Sequence, residues 1–269
     1  MSLKNVLVHL GPEARTAARL ELAVALARQH GARLVGVFAQ RAQAHQVGVI
    51  STWPSPAYVQ ARDASQALFE QATAGLAGAQ WQDLNRGADA EVCHRLTDLA
   101  RYADLVVMGQ REPDDTQLPE DLVSEVILHS GRPVLVVPYV GRFPTLGKNP
   151  LLGWAPSREA ARALADALPL IAGCELAHVL SISTRPEEAG TTCPDIERYL
   201  ASHGITARAK LGFADELGPM DLLLNGVTDV GADLLVMGAQ APRSLPFDSR
   251  GSGTQHILRH MTVPVLMSH

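Results

Sequence analysis

Ala103-Asp-Leu-Val-Val-Met-Gly109 recurs as Ala232-Asp-Leu-Leu-Val-Met-Gly238. After each copy come a polar loop, a short helical stretch and a Pro-led apolar run, Arg132-Pro-Val-Leu-Val-Val137 and Val263-Pro-Val-Leu-Met267. The segments ahead also echo one another, Arg15-Thr-Ala-Ala-Arg19 against Arg158-Glu-Ala-Ala-Arg162. A unit repeated at this spacing is domain-sized, so the 269 residues divide into two domains of one architecture. Their expected limits are 1–140 and 149–269, on either side of a Pro- and Gly-rich stretch with linker composition.

The copies differ in ways that bear on function. Between the Arg15/Arg158 and Met-Gly matches the first half carries about fourteen extra residues, placed at 40–56. Between Gly109 and Pro133 it is two residues shorter than between Gly238 and Pro264. A net charge of −5 gives no bulk attraction for polyanions, and there is no basic stripe or aromatic platform for nucleic acid. No run of eighteen apolar residues predicts a membrane span, and no basic-then-apolar opening predicts a signal peptide. Cys93, Cys174 and Cys193 lack pair spacing and read as thiols of a reducing, cytoplasmic compartment.

Hydrophobic periodicity predicts alternating elements. In the first half strands fall at 5–10, 33–38, 80–85, 104–108 and 133–137, with helices at 13–30, 57–79, 89–102 and 119–129. In the second, strands fall at 151–154, 175–180, 205–211, 233–237 and 263–267, with helices at 157–168, 193–203, 216–230 and 253–260. Such alternation, with strands apolar on both faces, predicts parallel α/β sheets covered on both sides, a doubly wound fold in each half.

Ligands of such sheets sit beyond the strand carboxyl ends, which directs attention to the loop after the fourth strand. In the second half it runs from Gly238 through Ala241 and Arg243 to Arg250-Gly-Ser-Gly-Thr254 as a helix begins. Backbone N–H groups at Gly251, Ser252 and Gly253, the hydroxyls of Ser252 and Thr254, and the charges of Arg243 and Arg250 can together form a phosphate cradle. The competing reading is a helix N-cap with turn glycines.

These residues resemble the universal stress protein family in tandem-domain form. Its ATP-binding members carry Gly, two residues, Gly, nine residues, then Gly followed by Ser or Thr. Here Gly238, Ala241 and Gly251-Ser252 keep that spacing with one Gly changed to Ala, and His256-Ile-Leu-Arg-His-Met-Thr-Val-Pro-Val-Leu266 is also similar to the family. The resemblance spans the whole chain. It implies a five-stranded, mostly parallel sheet of order 3-2-1-4-5 in each half. It also implies an internal pseudo-dimer, open to further homodimerisation, and ATP or AMP as the ligand. The family places an Asp after the first strand, where it meets the nucleoside; here the matching positions are read as Leu10 and Ala155. In the first half Glu120 and Asp121 stand where Gly251 and Ser252 stand in the second, and each would repel phosphate by about 1 kcal/mol or more. The first half is thus expected to have lost nucleotide binding and the second to keep the phosphate end alone.

Other motifs carry less. No Gly-x4-Gly-Lys-Ser/Thr occurs, so a P-loop is excluded. His256 and His260 have metal-pair spacing without a third ligand, and no metal is expected. Cys93-His94 lies mid-helix without an oxyanion loop, so a core thiol is expected. The extra segment with Trp53 is read as a lid over the first-half cleft or a partner surface, or else Trp53 is simply tucked against its domain. The expected function is a non-catalytic stress-response module with a small phosphate ligand in the second half and protein partners. The alternatives are a scaffold degenerate in both halves and a slow ATP hydrolase.

Overall fold

The computed structural model describes residues 2–11, 13, 15–41, 45–47, 50–85, 89–183, 192–213, 218–240 and 253–269. The chain divides into two compact units, Ser2–Val134 and Leu135–His269. In chain order the first half contains β1 Asn5–Leu10, α1 Thr16–His30, β2 Arg33–Phe38, β3 His45–Val47, β4 Ile50–Thr52, α2 Pro56–Ala72, β5 Gln80–Asp83, α3 Asp89–Ala100, β6 Leu105–Gly109, α4 Leu122–His129 and β7 Val134–Val137. The second contains β8 Pro150–Trp154, α5 Arg158–Ile171, β9 Ala177–Ser183, α6 Thr192–Ser202, β10 Ala207–Phe213, α7 Pro219–Asp229, β11 Leu234–Gly238, α8 Gly253–His260 and β12 Val265–Ser268.

The unit Ser2–Val134 has the strand order β5-β2-β1-β6, and the second half has the order β10-β9-β8-β11-β12. These follow the 3-2-1-4 and 3-2-1-4-5 orders of the expected α/β fold, with parallel pairing at β1–β2, β1–β6, β8–β9 and β8–β11. The first strand is central, so its carboxyl end meets that of the fourth where the winding reverses. Burial explains the two-sided apolar strands: β6, β7, β11 and β12 keep their aliphatic residues within a few per cent of full burial. Helices cover both faces, for which a sheet without polar alternation is suited.

The repeated Asp has a backbone function. Asp104 accepts the N–H groups of Lys4 and Asn5 at 2.7 and 2.8 Å. Asp233 accepts those of Lys148 and Asn149, both at 3.0 Å. Each carboxylate ties the start of the fourth strand to the start of the first, satisfying donors the ladder leaves over.

Two expectations change. The helix predicted at 57–79 ends at Ala72: the Thr73 hydroxyl takes the Phe69 carbonyl at 2.7 Å, and the chain then leaves the helix through Gly75, which is left-handed at φ 79°. The helix predicted to stop at Leu168 continues through Pro169 to Ile171, where Leu170 and Ile171 are buried. Apolar burial of that last turn outweighs the backbone bond that proline removes. Within the extra segment β3 and β4 pair antiparallel. Trp53 follows them and rests on Tyr58, ring centroids 4.5 Å apart, while Tyr58 packs edge-on against Phe38 at 5.5 Å. It is tucked against its own domain.

Among the described residues no helix is long and apolar enough to cross a membrane.

Candidate functional site

In the second half β8 ends at Trp154, and the chain turns through Ala155 and Pro156 into α5. Ser157 caps that helix, its hydroxyl accepting the Ala160 N–H at 3.1 Å. β11 ends at Gly238 on the neighbouring ridge. Between them opens a cavity of about 390 Å³, walled by Trp154, Ala155, Met220, Gly238, Gly253 and Thr254 among others. That volume lies at the lower end of small-molecule sites. Ala155, Met220 and Leu223 make its wall apolar, while α8 begins at its rim with Gly253. The first N–H groups of a helix have no partner within it and carry its partial positive charge.

The anticipated residues fall into two groups. Gly238, Gly253 and Thr254 surround the cavity. Ala241, Arg243, Arg250, Gly251 and Ser252 lie outside the described residues. Thr254 is buried and its hydroxyl is engaged: it accepts the Gln240 N–H at 3.0 Å and lies 3.2 Å from the Gln240 carbonyl, to which it donates. Its side chain therefore joins Gln240, just beyond β11, to the first turn of α8. Gly238 also has a packing duty, since a Cβ there would lie 2.5 Å from the Ala160 nitrogen and 2.6 Å from the Glu159 carbonyl carbon. The sequence offered no sign of Met220. It reaches the cavity because Gly218 and Pro219 start α7 beside it.

Strand register corrects the comparison of the two halves. Val6 pairs with Leu105, and Pro150 with Leu234. Leu10 therefore corresponds to Trp154, and Gly11 to Ala155, so the two positions read as the missing Asp were one residue out of step. Neither pair contains an acid. The first helices follow the same register, since the buried stripe Thr16, Arg19, Leu20, Ala23 matches Ala160, Ala163, Leu164, Ala167. Arg19 thus stands opposite Ala163 and not, as the repeated Arg suggested, opposite the half-exposed Arg162.

This substitution changes the first-half site. Arg19 is buried, with its Nε donating to the His9 carbonyl at 2.8 Å and its Nη2 3.2 Å from Glu13 Oε2. Burial raises the Glu13 carboxyl, but Arg19 and His9 more than offset it and leave it at about 2. Asp121 precedes α4 without a side-chain capping bond. Leu122, fully buried, occupies the position that Gly253 holds at the second-half cavity.

His256 Nε2 lies 2.8 Å from Asp221 Oδ1, joining α8 to α7, and the His256 and His260 rings are 4.7 Å apart. Among the described residues no group of three or more His, Cys, Asp or Glu could hold a metal. His94 faces Asp98 at 3.2 Å instead of activating Cys93. Burial, Asp121 and Glu125 push the Cys93 thiol up to about 11. Cys93 should thus be alkylated by iodoacetamide at pH 7.5 about twentyfold more slowly than free cysteine, the smaller thiolate fraction being partly offset by a more basic nucleophile, as measured by peptide mass spectrometry. A rate matching free cysteine would contradict this environment.

No protein-family model and no curated protein matches the chain. Solved structures do. A universal stress protein from Archaeoglobus fulgidus DSM 4304 matches with TM-score 0.68 at 14% identity, covering 97% of each chain. A putative universal stress protein from Pseudomonas aeruginosa UCBPP-PA14 gives 0.59 at 17%, covering 99% of this chain and 93% of that one. A functionally unknown protein from Pseudomonas aeruginosa PAO1 gives 0.58 at 18%, covering 99% and 92%. Over its whole length, the chain has the tandem α/β fold of these universal stress protein structures.

Proposed function

We propose that this protein is a stress-response binding module whose second half takes a small anionic ligand, an adenine nucleotide or another phosphate compound. The observation that supports this reading most is the cavity at the carboxyl ends of β8 and β11, with the start of α8 at its rim. An apolar wall suits a flat organic body, and a helix N-terminus suits a phosphate. Occupancy would change the surface offered to a protein partner beside the start of α8. No Lys or metal cluster among the described cavity residues favours hydrolysis of the ligand.

Thermal unfolding with ATP, ADP and AMP tests this. A ligand at a hundred times its dissociation constant adds about 2.7 kcal/mol to native stability. Gly251→Glu, which installs the acid that Glu120 supplies in the first half, should abolish the shift and leave the unliganded melting temperature unchanged. No shift with any of the three at millimolar concentration would replace this reading with that of a scaffold degenerate in both halves.

A further inference from the structure

The carboxyl ends of β1 and β6 form the first-half equivalent of the second-half cavity, and the chain fills that place with its own charges. Glu13 folds back over the end of β1, so that a Cβ on Gly11 would lie 2.1 Å from its Oε2. Arg19 lies against the end of β6, where a Cβ on Gly109 would lie 1.9 Å from its Nη1. The two side chains meet at 3.2 Å and are only 10% and 3% exposed. Thr16 Oγ1 completes the group, 2.9 Å from Glu13 Oε2 and 2.8 Å from the Gly11 carbonyl, while accepting from Arg19 Nη2 at 3.0 Å. A carboxylate is thus held by a guanidinium and a hydroxyl at the crevice where sheets of this order take ligands.

The fold does not require this pair. The matching positions in the second half are Ser157, Ala160 and Ala163, and the same strands and helix pack there around an open cavity. Buried ion pairs add little stability over apolar side chains of similar volume, so packing does not account for keeping one here. We propose that Glu13 is an intramolecular ligand: its carboxylate occupies an anion position made by Arg19 in the first-half crevice, a position the second half lacks because Ala163 stands there, and it leaves the second half to respond to free ligand. The arrangement is a tethered anion in a built site. Removing the tether uncovers a site for a small carboxylate.

The test is chemical rescue in the full-length chain. Glu13→Ala should melt about 10 °C below wild type in sodium chloride. Sodium formate at equal ionic strength should recover several degrees of that loss, whereas wild type should melt alike in both salts. A variant that melts like wild type in chloride, or alike in chloride and formate, overturns the proposal. If Glu13→Ala fails to fold in chloride, refolding in formate supports it and failure in both salts overturns it. The double variant E13S/R19A copies the second-half residues and should fold without any response to formate. Failure of that variant to fold would show that the pair is structural, and a formate response in it would show that Arg19 is not the anion site; either result overturns the proposal.

Discussion

Arg19→Ala should destabilise the first half by about 3–5 kcal/mol at neutral pH, because it leaves a buried carboxylate without its counter-ion. The size follows from the surroundings. The Arg19 side chain is 3% exposed and that of Glu13 10%, so water cannot replace the lost partner. The His9 carbonyl also loses the Nε donor at 2.8 Å. An exposed pair such as Arg198–Asp195, at 75% and 70% exposure, would change stability by well under 1 kcal/mol if broken.

The pH dependence separates this from loss of packing. In the wild-type chain burial pushes the Glu13 carboxyl up, and Arg19 and His9 overcome that push and bring it to about 2 from an ordinary 4.5. A carboxyl depressed in the fold contributes stability that is complete above pH 4.5 and lost as the pH falls towards 2, about 3 kcal/mol in all. Burial also lowers buried His9 from its ordinary 6.5, so its contribution is present above pH 6.5 and declines below it. Wild type therefore weakens steadily on acidification. In Arg19→Ala the largest opposition to the burial of Glu13 is gone and His9 and Thr16 oppose it alone, so its carboxyl rises from its depressed value and acidification costs the variant less than it costs wild type. The gap between the two proteins should be widest at pH 7 and narrow towards pH 4, as read from urea unfolding at both values. A gap below 1 kcal/mol, or one equal at both values, would rule out the buried-pair account.

The repeat made the architecture legible because its conserved pieces are structural. Asp104 and Asp233 anchor strand starts, and the Pro-led runs are buried strands. Gly31 after α1 was readable as a stop because a left-handed residue, φ 62°, returns its N–H to the helix end. Tertiary effects were not readable. Pro169 looks like a helix stop until Leu170 and Ile171 are seen to be buried behind it. A three-residue strand such as β3 carries too short a pattern to register. Arg19 misled most, because in sequence it looks like the partner of solvent-facing Arg162, while strand register sets it against Ala163 and burial makes it a core cation.

Gly238→Ala should destabilise the second half by about 3 kcal/mol with or without ligand, at the upper end for inserting one methyl group into a packed site. Gly238 ends β11, and in the sequence it is the first residue of the candidate phosphate loop. The structure adds a stronger demand. The new Cβ would stand 2.5 Å from the Ala160 nitrogen and 2.6 Å from the Glu159 carbonyl carbon, both backbone atoms of the first turn of α5. A side chain could rotate aside, but here the helix must move, and Ser157 holds its start through the Ala160 N–H at 3.1 Å. Gly253→Ala supplies the contrast at the same cavity. Its Cβ would meet Met220 Sδ at 3.0 Å, the far end of a flexible thioether, and helix formation favours alanine there. That change should shift stability by less than about 1 kcal/mol while obstructing the rim beside α8. Urea unfolding of both variants without ligand, followed by the nucleotide titration, separates the two functions. Gly238→Ala should lose stability first, and Gly253→Ala should lose binding with its stability nearly intact. Equal midpoints for Gly238→Ala and wild type would mean that α5 yields at no cost and that Gly238 is kept for the ligand alone.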